Sequence, residues 1–103
     1  MSRKQILKAY SNKTVALAAT PEALTATSEY VKSVTIQGLA TNTDFVYVGD
    51  STGQLYAVAP GKSICIHGDG LDYGGFGEID ISLIWIRVLV NGEGVSYLAL
   101  SGT

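Results

Sequence analysis

Residue types that often carry chemistry are scarce in this sequence. The chain has one histidine, His67, and one cysteine, Cys65, both within the run Ser63-Ile-Cys-Ile-His67. A thiol is a nucleophile when exposure and a basic neighbour favour its thiolate, and His67 is the one basic group close to it in sequence. A small apolar side chain also suits a strand, so we interpret Cys65 as structural. We interpret His67 as an ordinary residue at the end of that strand.

Patterns for metal, phosphate and triad chemistry are not supported. One cysteine and one histidine cannot complete a tetrahedral zinc site. The run Gly61-Lys-Ser63 lacks the upstream glycine of a phosphate-binding loop. Serines and aspartates are plentiful, but nothing in the sequence places them beside His67 as a catalytic triad. We therefore expect no enzyme, no catalytic residue, no metal and no cofactor.

A glycine-rich, acidic stretch is the candidate for cation binding. Gly74-Gly-Phe-Gly-Glu-Ile-Asp80 nearly matches the calcium-binding repeat G-G-x-G-x-D-x-U-x, but its aspartate, Asp80, comes one position late. That repeat also works as a stack of copies, and the sequence has one. Loop oxygens can still hold a hard cation, and the available acids are Asp69, Asp72, Glu78 and Asp80. The alternative, which we favour, is a surface loop whose acids add solubility.

The composition is apolar and poor in charge. Hydrophobic residues make up 47% of the 103-residue chain and charged residues 16%, against roughly 25% charge in an average soluble domain. Surplus apolar surface can be buried in an oligomer or a larger assembly. A solid core under a coat of serine and threonine is the alternative, and we slightly favour the assembly. The length suits one domain.

The charges are distributed unevenly along the chain. The first thirteen residues contain four cations and no acid, namely Arg3, Lys4, Lys8 and Lys13. From Asp44 to Glu93 acids outnumber cations. A basic arm can contact a partner or the acidic face of a neighbouring copy, although a solubilising terminus fits as well. The acidic body argues against nucleic acid as a partner.

No secretory signal or membrane span is expected. The basic start is not followed by an apolar stretch. The longest apolar segment, Leu83–Val90, is interrupted by Arg87 and is far shorter than the roughly 20 residues that cross a bilayer. A single cysteine fits folding in a reducing cytoplasm. We therefore expect a soluble protein without a membrane partner.

The stretch Ser82–Leu100 predicts a β-hairpin that turns at Asn91-Gly-Glu-Gly94. Alternation gives its first strand two largely apolar faces. One face has Ile84, Ile86, Val88 and Val90, and the other has Leu83, Trp85, Arg87 and Leu89. A strand that is apolar on both faces is central or lies under another surface. Arg87 then requires a buried or interfacial partner, which makes the hairpin our candidate for an assembly contact.

Short runs of β-branched and aromatic residues, separated by Gly, Pro, Asn and Asp turns, predict the fold class. Six or seven such strands are typical of an all-β, antiparallel sandwich or barrel. Residues 15–20 are predicted as an early strand, and residues 3–10 as either a strand or an ordered arm. We assign residues 1–29 to an N-terminal arm with the first strand or strands. Residues 30–103 are assigned to the β-sandwich core of what is a single domain overall.

Three motifs, in order along the chain, carry a resemblance. They are Phe45-Val-Tyr-Val-Gly-Asp-Ser-Thr52, Leu55-Tyr-Ala-Val-Ala-Pro-Gly-Lys-Ser-Ile64 and Val90-Asn-Gly-Glu-Gly-Val-Ser-Tyr-Leu98. With Val31–Gln37 they resemble the small virion structural proteins of tailed bacteriophages. The resemblance covers residues 30–100. The glycine-rich insert and the apolar Leu83–Val90 run depart from it.

The resemblance implies a compact, jelly-roll-like sandwich that decorates or cements a capsid, or caps a fibre or tail. We expect a virion protein, made in the cytoplasm of the bacterial host, that stabilises the head by bridging capsid subunits. Its expected partners are the major capsid protein or other virion proteins, and itself as a homo-dimer or homo-trimer. A receptor- or glycan-binding domain of a tail or fibre is the alternative. The residues expected to contact partners are Arg3, Lys4, Lys8, Trp85 and Arg87.

Overall fold

The computed structural model describes residues 5–67 and 78–102. Its regular structure is ten β-strands and one 3-10 turn, Ile81–Leu83. The strands are β1 Gln5–Thr14, β2 Glu22–Ala23, β3 Tyr30–Val31, β4 Ser33–Gly38, β5 Val46–Asp50, β6 Gly53–Val58, β7 Ser63–His67, β8 Ile79–Asp80, β9 Trp85–Val88 and β10 Gly94–Gly102. Within these described ranges, no helix is long and apolar enough to cross a membrane.

Eight of the strands form two four-stranded antiparallel sheets. Sheet I has the strand order β1-β10-β4-β7, and sheet II has the order β2-β9-β5-β6. The short strands β3 and β8 pair with each other. The prediction of an all-β, antiparallel fold is confirmed. These segments form strands because β-branched residues recur at alternate positions, as in β4 and β5. Such residues suit a pleated, half-buried surface.

The two sheets share one hydrophobic core. Successive side chains of a strand face opposite sides, so each strand contributes alternate residues to the interior. Ile36 of sheet I and Ile86 of sheet II are both completely buried. Val15 and Leu24, which precede residue 30, belong to the same buried cluster. Residues on both sides of residue 30 therefore contribute to one core.

The predicted hairpin at Ser82–Leu100 is wrong. β9 pairs with β2 and β5 in sheet II, whereas β10 pairs with β1 and β4 in sheet I. Both edges of each strand are thus occupied by other partners. Each strand also buries one face in the shared core from its own side, as Ile86 and Val95 show. The turn at residues 91–94 consequently carries the chain from one sheet to the other.

Residues 15–20 form a loop, so the strand predicted there is also wrong. Val15 is buried, but Leu17 is 60% exposed, which breaks the expected alternation. Ala19 has a φ of 65°, a left-handed conformation that strands do not contain. Its N–H donates to the carbonyl oxygen of Val88 at 2.9 Å. The chain needs this loop because it leaves sheet I after β1 and enters sheet II at β2.

Of the two alternatives for the start of the chain, a strand is observed over residues 5–14. β1 is an edge strand of sheet I, and its register runs from Gln5 opposite Gly102 to Thr14 opposite Gly94. The register shifts between Leu7 and Ala9, which places a bulge at Lys8. Arg3 and Lys4 lie outside the described residues.

Four connections between the sheets lie at one end of the molecule, which we call the loop end. They are residues 15–21, 39–45, 59–62 and 89–93. Cross-strand pairing brings the strand ends that flank these connections together, because Thr14 pairs with Gly94 and Gly38 pairs with Val95. The β5–β6 turn lies at the opposite end of sheet II.

Candidate functional site

Polar side chains hold the connections of the loop end together. Glu93, in the last connection, is only 9% exposed. Its carboxylate accepts hydrogen bonds from the N–H and hydroxyl of Thr43 at 2.6 and 2.8 Å, and from the N–H of Asp44 at 3.3 Å. Burial opposes ionisation, but these hydrogen bonds prevail and hold the pKa of Glu93 below its usual value. Ionised Glu93 therefore fixes connection 39–45 to connection 89–93.

Asn42 links connection 39–45 to the start of β10. Its side-chain amide donates to the carbonyl oxygen of Gly94 at 2.7 Å, and its Oδ1 accepts from the N–H of Gly94 at 3.2 Å. Gly94 has no room for a side chain, since a Cβ there would collide with the carbonyl oxygen of Lys13. A glycine is thus required where β1 passes the start of β10.

Connection 15–21 is fixed to connection 89–93 by hydrogen bonds at both backbone and side-chain level. The N–H of Ala18 donates to Oδ1 of Asn91 at 2.6 Å. The N–H of Val15 donates to the carbonyl oxygen of Glu93 at 2.9 Å. Three of the four connections are therefore cross-linked, and the loop end is a braced surface.

The side chains that the loop end exposes are mainly apolar. The large hydrophobic residues exposed there are Leu17, Phe45, Leu89 and Val90, with 60%, 44%, 40% and 39% of their surface accessible. The charged residues of the four connections are Asp44, Lys62 and the braced Glu93. Covering apolar surface yields about 25 cal/mol per Å2, and braced loops lose little conformational entropy on binding. The loop end is suited to contact with another protein surface.

A second candidate surface is the side of sheet I that points away from the core, which we call the outer face. By strand register it has three rows: Leu7, Leu100, Ser33 and His67; Tyr10, Leu98, Thr35 and Cys65; Asn12, Ser96, Gln37 and Ser63. None of these twelve residues is Asp, Glu, Lys or Arg. Three of its large side chains, Leu7, Tyr10 and Leu98, are substantially exposed. A shallow depression of about 390 Å3 lies over the second and third rows.

Trp85 and Arg87 lie on the outward side of sheet II, both half-buried. The Arg87 guanidinium lies 4.5 Å from the centre of the ring of Tyr47, its cross-strand neighbour. A cation over an aromatic face is attracted by the ring's quadrupole. The partner expected for Arg87 therefore exists within the chain, and a second molecule is not needed to supply one.

The lysines of β1 are paired within the chain as well. Nζ of Lys8 lies 3.6 Å from a carboxylate oxygen of Glu29, and Nζ of Lys13 lies 2.8 Å from one of Glu22. The hydrogen bond from Lys13 lowers the pKa of Glu22 and joins the edges of the two sheets. Partly exposed ion pairs of this kind contribute about 0–1 kcal/mol. The pairs position β1, and they give both lysines a partner within the chain.

Cys65 points outward on β7. Ile64 and Ile66 take the inward positions and pack against the core, so alternation leaves Cys65 exposed. Its Sγ lies 3.5 Å from Nε2 of His67 and 3.6 Å from the hydroxyl of Thr35. The thiol therefore contributes nothing to the core and is open to reagents in solution.

Asp80, the described end of the acidic stretch, is used inside the fold. It accepts hydrogen bonds from the hydroxyls of Ser28 and Ser82, at 2.5 and 2.7 Å, and from two backbone N–H groups. These hydroxyls hold the pKa of Asp80 at about 2. The described residues contain no group of three side chains that could hold a metal ion. Asp69 and Asp72 lie outside them.

Residues 49–53, Gly-Asp-Ser-Thr-Gly, contain the letters G-x-S-x-G of a hydrolase nucleophile elbow. An elbow turns from a strand into a helix, whereas these residues form the turn of the β5–β6 hairpin. The Asp50 carboxylate accepts from the N–H and hydroxyl of Thr52 and from the N–H of Gly53. The motif is therefore explained by the turn.

Sequence reasoning missed the bracing roles of Asn42 and Glu93. The motif Val90–Leu98 drew attention to Glu93, but its partner Thr43 lies 50 residues away. The sequence signal for these roles was a polar side chain, Glu93 or Asn42, in a turn between apolar strands. Spacing along the chain does not reveal which turns meet in space.

Comparison with known proteins identifies no relative that could assign a function to these surfaces. No family model matches the chain, and neither a curated protein nor a solved structure matches it. Function must therefore be argued from the braced loop end and the uncharged outer face.

Proposed function

We propose that this protein is a structural component of a tailed-bacteriophage virion, and specifically a capsid decoration or cement subunit. The observation that carries the proposal is the braced loop end, where large apolar side chains are exposed and charges are few. Such a surface binds another protein without rearranging. The resemblance of the motifs at residues 45–52, 55–64 and 90–98 points to the same class of protein.

We infer a jelly-roll-like sandwich as the finer description of the fold. The strand order supports it, because the pairs are nested: β1 pairs with β10, β2 with β9, β4 with β7, and β5 with β6. Nested pairs that alternate between two sheets are what a long antiparallel hairpin gives when it is rolled up. Virion proteins are among those that use this architecture.

A decoration subunit acts by covering joints between neighbouring capsid subunits. In our proposal the loop end lies on the shell and buries its apolar side chains there. The gain is about 25 cal/mol per Å2 less the cost of ordering, and many copies multiply it. Glu93 and Asn42 already have hydrogen-bond partners, so covering them costs little. Arg3 and Lys4 would add contacts to acidic groups of the shell.

The test is the occupancy of purified capsids by single-site variants. Leu17→Asp and Leu89→Asp place a charge in the proposed contact, and each is expected to weaken binding by about tenfold or more. Leu55→Asp is the control, because Leu55 is 85% exposed on β6 and outside the loop end. Unchanged occupancy in both loop-end variants would remove this surface from the proposal. Absence of the protein from purified virions by mass spectrometry would end the proposal itself.

The alternative is a receptor- or glycan-binding domain of a tail or fibre. The depression on the outer face favours it, since Tyr10 stands there beside the neutral amides of Asn12 and Gln37. Tyrosine offers an apolar ring with a polar tip, and amides offer both donors and acceptors to hydroxyl groups. A glycan array with native protein and Tyr10→Ala discriminates the two, because binding that the substitution abolishes supports the alternative.

A further inference from the structure

We infer that the outer face of sheet I packs against the same face of a second copy of this chain. This inference rests on the proposed function and deepens it, because it names the surface through which a decoration subunit associates with itself. It also moves the assembly contact away from Trp85 and Arg87 on sheet II.

The apolar residues of the outer face form one patch. Register places Leu7 opposite Leu100 and Tyr10 opposite Leu98, so the four side chains occupy two adjacent rows on neighbouring strands. Leu7, Tyr10 and Leu98 are 48%, 68% and 44% exposed. Contiguous exposed apolar patches on soluble proteins mark interaction sites. Three leucines with one tyrosine favour a protein surface over a hydrated sugar as the occupant.

The absence of charge on this face favours an identical partner. In a two-fold contact, each residue near the axis meets itself or a close neighbour from the other copy. A formal charge there would meet its like and would also lose its hydration. None of the twelve outer-face residues is Asp, Glu, Lys or Arg, and His67 is the one histidine among them. His67 lies on β7, at the edge furthest from the apolar patch.

The other extended surfaces fit a self-contact less well. The outward side of sheet II carries Arg87, whose charge would face its symmetry mate. The loop end carries Asp44 and Lys62. In the proposed function the loop end is occupied by the shell, which leaves the outer face for the second copy.

The area of the outer face sets the expected strength of the contact between two copies. Four strands about 4.8 Å apart and three rows about 7 Å apart give a footprint of roughly 400 Å2. A standard stable interface buries about 800 Å2 on each partner. The contact should therefore be weak in solution and depend on concentration. Copies held close together on a shell would have a much higher effective concentration.

Sedimentation equilibrium tests the contact on the full chain. The average mass of native protein should rise from 10.8 kDa toward twice that value as its concentration approaches about 1 mM. Leu98→Lys and Tyr10→Glu should weaken self-association by about tenfold or more, while Leu55→Lys should leave it unchanged. Native protein that stays at 10.8 kDa throughout, or variants that associate as native protein does, would overturn the inference.

The native thiol supplies a second readout that needs no substitution. Cys65 lies in the same row as Tyr10 and Leu98 and is exposed in the single chain. Its alkylation should slow as the protein concentration rises, and the slowing should disappear in Leu98→Lys. A rate that is independent of concentration in protein that does associate would place the contact elsewhere and overturn the inference.

Capsid occupancy separates this inference from the proposed function. Leu98→Lys that is monomeric yet still bound to capsids supports both. Self-association of a protein that is absent from virions would remove the function and keep the contact. Monomeric native protein that binds a glycan through Tyr10 would overturn the self-contact in favour of the glycan-binding alternative.

Discussion

At the scale of single residues, the fold depends on side chains that hydrogen-bond to backbone groups outside the sheets. Glu93 and Asn42 hydrogen-bond to backbone groups of distant turns, and Asp80 does the same near the β3–β8 pair. Acids used in this way are structural, although they first suggest chemistry. These acids accept hydrogen bonds in their ionised form, so the stability of the fold depends on pH.

Asp80 gives a pH prediction. The hydroxyls of Ser28 and Ser82 hold its pKa at about 2, below the ordinary 3.8. A lowered pKa means that the ionised group stabilises the fold above pH 3.8, and that this contribution is lost as the pH falls toward 2. We expect the melting temperature to fall across that window, and to fall less steeply in Asp80→Asn. Thermal denaturation measures the melting temperature of both proteins at each pH. If the two melting temperatures fall equally steeply with pH, the role assigned to Asp80 is contradicted.

Gly94 gives a steric prediction. A methyl group there would collide with the Lys13 carbonyl oxygen, whereas a Cβ at Gly53 would have no atom within 4 Å. Gly94→Ala should therefore destabilise the protein by about 1–3 kcal/mol or more, as other overpacked sites do. Gly53→Ala is the matched control and should cost far less. Chemical denaturation of both variants measures the difference, and similar losses would refute the steric account.

At the scale of elements, the sequence located several strands but not their partners. Alternation in Val34–Ile36 and Val46–Val48 located β4 and β5, because a half-buried strand repeats every two residues. The same rule placed one face of β9 inward. It could not show that β9 and β10 belong to different sheets, since a turn such as Asn91–Gly94 suits a hairpin and a crossing equally.

Arg87 and Tyr47 give a prediction at this scale. The cation above the ring joins β9 to β5, and a partly exposed pair of this type contributes about 0.5–1 kcal/mol. A double-mutant cycle with Arg87→Met and Tyr47→Leu should return a coupling energy of that size by urea denaturation. Capsid occupancy should not change in Arg87→Met. A coupling near zero would show that the two side chains act independently.

At the scale of the whole molecule, the apolar, charge-poor composition does not show where the exposed hydrophobic residues lie. The exposed hydrophobic residues of the loop end come from three separate connections. Those of the outer face come from strands far apart in sequence, β1 and β10. Both surfaces are products of the topology, so the sequence pattern that drew attention to Trp85 and Arg87 could not reveal them.

Truncation tests the role of the basic start. Removing residues 1–4 leaves every described strand intact, so the melting temperature should not change, while capsid occupancy should fall. Removing residues 1–13 takes away most of β1 and its pairing with β10, and should lower the melting temperature by roughly 10 °C or more. Equal melting temperatures for the two truncations would contradict the role of β1 in the sheet. Full occupancy after removal of residues 1–4 would exclude Arg3 and Lys4 from attachment.

The pairing of Gln5 with Gly102 has a mechanical consequence. The two ends of the described chain lie side by side on neighbouring antiparallel strands, so a force that pulls them apart separates β1 from β10 one residue pair at a time. Strands loaded in this way peel at low force, whereas strands loaded along their length must break all their hydrogen bonds together. The loop end, by contrast, is cross-linked by the side chains of Asn42, Asn91 and Glu93. If the protein reinforces a shell under tension, we expect it to be held by the loop end rather than by these paired strand ends.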